Sequence, residues 1–195
     1  SSHLDEKSIL SETATFCCNI FGCTRSSILL VDEGGQAIEM AHAIGIDQQE
    51  WGSIRVPIGE GTVGKVIERQ KPLLVRSIRS LPKELGFEPN PRYQSMSFLI
   101  VPIMSSSRTS GAEKVIGAIC VTDRLGGNIF TREDQEILSI LATHTASALS
   151  NARLWGELRE QEKEINRWNK ELERRVQDRT QALEEAQDQL LQSEK

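Results

Sequence analysis

Seven cationic side chains, Lys65, Arg69, Lys71, Arg76, Arg79, Lys83 and Arg92, fall between residues 65 and 92, against three acids. The whole chain carries a net charge of -5, so this segment stands apart from the rest. Guanidinium groups grip carboxylate or phosphate in a fork, so the segment can hold an anionic ligand. The plainer alternative is a solvated basic surface or a dimer contact, where such charges are worth little. The turn "GEGTVG" opens a helical pattern and could present backbone amides to an anion.

The other reactive residue types point away from catalysis. Cys17, Cys18, Cys23 and Cys120 form no C-x-x-C pair and lack the paired spacing of a zinc site. They read as reduced thiols acting as small apolar residues, Cys17 and Cys18 on a helix and Cys120 on a buried strand. The acidic balance argues against general nucleic-acid binding, which needs a basic face to neutralise phosphates. No apolar run approaches the ~20 residues that cross a bilayer, and no signal-peptide pattern is present. The chain therefore reads as cytoplasmic and without membrane contact of its own, although a longer parent could be anchored upstream.

The elements that must position these residues follow from periodicity. The 195 residues suit one domain with an appendage. Leu10, Ala14, Cys17 and Phe21 recur at i, i+4, i+7 and i+11, one face of a first helix over about residues 4–21. "SSILLVDEGGQAIEMAHAIGI" reads as two strands joined at Asp32-Glu33-Gly34-Gly35, and "IRVPIGEG" as a third. "GTVGKVIERQ" is a short helix with Val63, Val66 and Ile67 on one face, and "KPLLV" a strand. Residues 76–93 hold three of the six prolines and form the longest irregular stretch, of the kind that often covers binding sites. "SFLIVPIM" and "VIGAICVTDR" are strands separated by the polar loop "SSSRTSGAEK". Thr131 and Asp134 then fit a capping box, and one helix is expected from Arg132 to near Lys195, about 95 Å at 1.5 Å per residue.

Such a helix outruns a compact domain and needs a partner for its apolar stripe. The stripe is Leu154, Leu158, Ile165, Trp168, Leu172, Val176, Leu183, Ala186 and Leu190, near heptad spacing with Gln161 and Arg179 at polar core places and a stutter at Leu172–Val176. The spacing predicts a parallel two-stranded coiled coil, hence a homodimer. The alternatives are a solvated single helix held by i,i+4 charge pairs, or one docked on another domain of the parent.

"RVPIGEGTVGKVIERQKPLLV", "RYQSMSFLIVPI" and "VIGAICVTDRLGGNIFTREDQEILSILATHTASALSNARL" resemble a GAF domain, over about residues 4 to 155. The resemblance implies an α+β fold: an antiparallel sheet with flanking helices, one face carrying a ligand pocket, and a long C-terminal coiled-coil helix added. Residues 1–155 are then the sensor domain, its last helix starting near 132, and residues 156–195 a signalling helix. The tail "ELERRVQDRTQALEEAQDQLLQSEK" is similar to the signalling helix before output domains, with Asp178-Arg179-Thr180 near its Glu-Arg-Thr motif. "QLLQSEK" resembles the segment ahead of the phosphoacceptor helix in bacterial sensor histidine kinases, which implies a kinase downstream in the parent. The chain itself carries no phosphoacceptor His motif and no ATP-binding motif, so it reads as regulatory and not as an enzyme.

Relatives within the family suggest further chemistry. The free methionine sulfoxide reductases need a nucleophilic Cys, and Val63 stands at that place here. Haem needs an axial ligand, and His42 and His144 read as packed or half-exposed side chains. A covalently attached bilin needs a pocket Cys. Cyclic-nucleotide binders carry an Asn-Lys, Phe, Asp-Glu pattern; here Asp123-Arg124, Phe130 and Asp134-Gln135 fill those places, a degenerate match that implies a structural ion pair between Arg124 and Asp134. No cofactor or metal is expected, only an unknown small ligand of anionic character. In the implied pocket Arg76, Arg79 and Arg92 would hold the anion, Tyr93 and Phe98 would form apolar walls, and Thr122 would offer a hydroxyl. Three functions follow: a sensor module of a two-component histidine kinase; a ligand-free dimerisation module, its pocket filled by residues such as Trp51 and Phe87; or a cyclic-nucleotide-binding domain feeding a cyclase or phosphatase.

Overall fold

The computed structural model of the chain describes residues 2–77, 97–106 and 113–193; of these, the side chains of residues 2–4, 106 and 182–193 are not described. The chain folds as two units, Ser1–Ala152 and Arg153–Lys195. The first unit is built on a six-stranded antiparallel sheet in the order β3-β2-β1-β6-β5-β4. Its strands are β1 (Cys23–Val31), β2 (Ala37–Ile44), β3 (Arg55–Pro57), β4 (Leu73–Val75), β5 (Phe98–Ser106) and β6 (Glu113–Arg124). The helices are α1 (Ser2–Phe21), α2 (Gln48–Trp51), α3 (Gly61–Arg69) and α4 (Arg132–Ser193). The α+β fold expected from the sequence is the one observed.

Strands β1, β5 and β6 are apolar on both sides because the sheet is covered on both faces. One face, with Ile28, Leu99, Val101, Ile103, Ile119 and Val121, belongs to the cluster that includes Leu10, Ala14, Cys17 and Phe21 of α1 and Leu138, Ala142, Ala146 and Leu149 of α4. The i, i+4, i+7, i+11 stripe read from the sequence is thus the buried face of α1. The opposite face, with Leu29, Ile38, Phe98, Ile100, Ala118 and Cys120, joins Val66 and Ile67 of α3 and Val75 of β4. Side chains alternate between the faces at period two, so neighbouring residues of β5 serve different layers.

The β1–β2 turn is held by a carboxylate. Asp32 Oδ1 accepts from the backbone N–H groups of Gln36 (2.9 Å) and Ala37 (3.2 Å), and Gly35 supplies the positive φ that closes the turn. These bonds, with a smaller contribution from Arg55, hold the Asp32 carboxyl below its ordinary range. The short helix α2 was not expected. Asp47 caps it by accepting from Gln49 N–H at 3.0 Å.

The cap of α4 does match the sequence reading. Asp134 N–H donates to Thr131 Oγ1 at 3.2 Å, and Thr131 N–H donates to Asp134 Oδ2 at 2.8 Å. In the second unit, Leu154, Leu158, Ile165, Trp168, Leu172 and Val176 are between 41% and 69% exposed. Local ion pairs Glu160–Lys163 and Glu171–Arg175 accompany them on the helix surface. Leu183 and Leu190 have no described side chains. Among the described residues, no helix is long and apolar enough to cross a membrane.

Candidate functional site

Two of the candidate ligand residues are brought together. Phe98 on β5 and Thr122 on β6 are direct cross-strand partners on the α3-covered face. Phe98 is 1% exposed, in one cluster with Val66, Ile67, Val75, Ile100 and Cys120, and Thr122 is likewise buried. That part of the face is closed by protein side chains. Trp51 does not join the cluster. Its ring meets His42 edge-on at 5.2 Å, and its indole N–H donates to Ile46 O at 3.4 Å. Burial lowers the pKa of His42. His144 lies exposed on α4. Arg79, Tyr93 and Arg92, and with them Phe87, fall outside the described residues.

Arg76 is exposed just past β4 and approaches the start of α4. Glu133, in the first turn of that helix, is held below the usual carboxylate range by its own backbone N–H and the Thr131 hydroxyl, with a smaller push from the Arg76 charge.

The junction below Phe98 and Thr122 was only partly legible. Ser97, buried, donates to Val75 O at 2.9 Å and accepts from Phe130 N–H at 3.0 Å. Its hydroxyl therefore joins β4 to the residue that precedes the α4 cap. Nothing in the sequence singled Ser97 out, since a lone serine before a strand has no pattern. On the other side, Arg124 Nη1 lies 2.5 Å from Asp134 Oδ2 and 3.0 Å from Ile129 O. Its guanidinium also sits over the Phe130 ring, 5.4 Å from the centroid, and that ring meets Phe21 of α1 edge-on. Asp123, at φ 57, turns its carboxylate to Arg25 at 3.5 Å. The Asp123, Arg124, Phe130 and Asp134 positions are thus all engaged in linking β6 to α1, β1 and α4.

The cysteines are poor nucleophiles. Burial pushes the thiols of Cys17, Cys23 and Cys120 up to about 12, and raises Cys18 as well. A thiol must ionise to attack, and burial opposes this most at Cys17, Cys23 and Cys120.

Helix α3 closes the site. Gly64 sits where a Cβ would come within 2.5 Å of Pro57 O, so the helix meets the β3 end at backbone distance. Val63 is partly buried against the sheet cluster.

A family model described as GAF domain matches residues 3–150. The chain belongs to the GAF domain family. It is similar to the nitrogen fixation protein VnfA of Azotobacter vinelandii, 32% identical over 130 residues, which cover 64% of this chain and 24% of that protein. It is also similar to the Nif-specific regulatory protein of Herbaspirillum seropedicae, 26% identical over 181 residues, covering 90% of this chain and 31% of that protein. The chain thus spans less than a third of the length of these two relatives. Among solved structures, a methyl-accepting chemotaxis protein superposes with a TM-score of 0.64 at 18% identity, covering 77% of this chain and 92% of that one, a likeness of fold. GAF domains are regulatory.

Proposed function

We propose that this GAF domain is a sensor module that passes its state through a dimeric signalling helix to an output domain. The observation that carries the reading is the double use of α4. Its residues Leu138, Ala142, Ala146 and Leu149 are buried in the sensor core, while Leu154, Leu158, Ile165, Trp168, Leu172 and Val176 remain at least 41% exposed in the single chain. An apolar stripe at near-heptad spacing is stabilised when a second copy covers it. The polar Gln161 and Arg179 and the stutter at Leu172–Val176 weaken the pairing, which suits an element with two packings that a signal can bias.

The output proposed is a sensor histidine kinase downstream, on the likeness of the tail to the segment before a phosphoacceptor helix. The regulatory relatives support a module that serves a larger protein. A second reading is favoured by one observation: the face around Phe98 and Ile100 is filled by Val66, Ile67 and Cys120. In that reading the domain dimerises and binds no ligand against the sheet.

Sedimentation equilibrium tests the module. The chain is expected to be a dimer, and Leu158→Glu with Leu172→Glu a folded monomer, since both positions are exposed in the single chain. A wild-type monomer, or a dimer unaffected by both charges, contradicts the reading.

A further inference from the structure

Three of the four cysteines gather where α1 ends and β1 begins. Cys17 and Cys18 lie in the last two turns of α1, and Cys23 opens β1. Gly22, at φ 57, is the left-handed residue that turns the chain out of the helix. At a helix end of this kind the residue after the glycine packs against the residue four before it. Those two positions are Cys23 and Cys18.

The side chains follow that pattern. Cys23 Sγ folds back onto the helix, 3.8 Å from Cys17 O, the carbonyl of the peptide that leads into Cys18, and 3.5 Å from Arg25 O. Its thiol also donates a hydrogen bond to the Cys18 sulfur. Cys17 instead faces the sheet, with Leu10, Ala14 and Phe21. The three differ in access: Cys18 is half-buried, whereas Cys17 and Cys23 are buried. Burial raises the Cys18 thiol, and the bond from Cys23 pulls it the other way. Burial first, and the nearby Cys18 charge next, push Cys23 up to about 12. Cys18 is therefore the thiol that small molecules reach and that ionises first, with a buried thiol beside it placed to resolve what forms there.

We infer that Cys18 and Cys23 are a thiol–disulfide switch, oxidised to an internal bond by a low-molecular-weight disulfide and reopened by the corresponding thiol. The Cys18 thiolate attacks one sulfur of the small disulfide, whose S–S bond breaks, and the first small thiolate leaves and takes up the Cys18 proton. Cys23 then gives up its proton and attacks the Cys18 sulfur, and the second small thiol leaves. Two protein thiols are oxidised, and one small disulfide is reduced to two thiols. The pair sits at a junction with the start of α4. Cys23 faces Arg124 across the β1–β6 ladder, and Gly22 O accepts the Leu125 N–H at 2.7 Å. Arg124 in turn holds Asp134 of the α4 cap. A bond that ties Cys23 to α1 therefore acts on the strand end whose arginine grips that helix. This rests on the sensor reading and names its stimulus as the thiol redox state.

The test equilibrates the whole chain in mixtures of reduced and oxidised glutathione at pH 8, quenches with acid, and counts free thiols by alkylation in urea and intact mass. Two of the four thiols should be lost at the oxidising end, with no glutathione retained, and should return at the reducing end. Fragmentation of the peptide Ser8–Arg25 should place the bond between Cys18 and Cys23, and Cys18→Ala, a change at a half-buried position, should form no internal bond. Four free thiols throughout, glutathione held on the chain in place of the internal bond, or a bond mapped to Cys17 or Cys120 overturns the switch. Amide hydrogen exchange over Thr131–Gln135 should differ between the oxidised and reduced chain, and identical exchange overturns the route to α4. The thiol count does not depend on oligomeric state, so sedimentation of the same samples shows a failure of the helix pair separately.

Discussion

The hydroxyl of Ser97 accepts the backbone N–H of Phe130 at 3.0 Å while donating to Val75 O at 2.9 Å, and so bonds the end of β4 to the approach to α4. Both bonds are buried, where a lost partner leaves a donor or acceptor unsatisfied. Ser97→Ala should destabilise the first unit by about 1–3 kcal/mol. Urea unfolding checks it; a change within error would mean that the junction tolerates water in place of the hydroxyl.

Asp134 does two things at the same junction: it meets Arg124 at 2.5 Å and accepts from Thr131 N–H. Asp134→Ala keeps the backbone N–H that donates to Thr131 Oγ1 but loses the acceptor for Thr131 N–H together with the Arg124 pair, and should cost about 1–3 kcal/mol. Asp134→Asn keeps an acceptor for Thr131 and should cost less. Equal losses in the two variants would show that charge, and not the cap, dominates.

Acid should loosen the β1–β2 hairpin. The Asp32 carboxyl is held below its ordinary value by the Ala37 and Gln36 amides first and Arg55 after them. A depressed carboxyl contributes stability that is full above the unfolded pKa, about 3.9, and fades as the pH falls through the lower folded value. Unfolding measured between pH 6 and pH 2 should show a shallower acid loss in Asp32→Asn than in the wild type. Parallel acid profiles would mean that other carboxylates carry the effect.

Alkylation should separate the thiols by burial. With pKa values pushed up to about 12, Cys17, Cys23 and Cys120 should resist iodoacetamide at pH 8 in the folded chain and react once it is unfolded in urea. Mass spectrometry of the intact chain counts the labels, and rapid labelling of Cys120 would place it at an open site on the sheet face.

Gly64 is a packing requirement. Gly64→Ala puts a methyl within 2.5 Å of Pro57 O and must move α3 from the β3 end. The expected loss is about 1–3 kcal/mol, as for other overpacked sites, read from thermal unfolding. A neutral substitution would show that α3 shifts freely.

How much of this was readable in the sequence depends on range. Local patterns carried through: the Leu10–Ala14–Cys17–Phe21 stripe, the Asp32 turn and the Thr131–Asp134 cap each act within a few residues. Long-range contacts had no such trace. Ser97 bonds to residues 22 and 33 positions away. The left-handed backbone at Gln70 and Asp123 breaks the preference of ordinary residues, so propensity pointed the wrong way. The cations were visible as a segment, but the fold divides them: Lys65 and Arg69 lie on α3, Lys71 between α3 and β4, and Arg76 just past β4.

The most direct measurement of the central claim is disulfide trapping on the stripe. In a parallel coiled coil each core residue faces its own copy, within the ~4.4–6.8 Å Cα separation that a disulfide spans. Leu172→Cys should form a covalent dimer on mild oxidation, while Arg174→Cys, off the stripe, and the wild type should not. Absence of the Leu172→Cys dimer, or equal trapping at Arg174→Cys, would contradict a parallel helix pair as the route by which the signal leaves the domain.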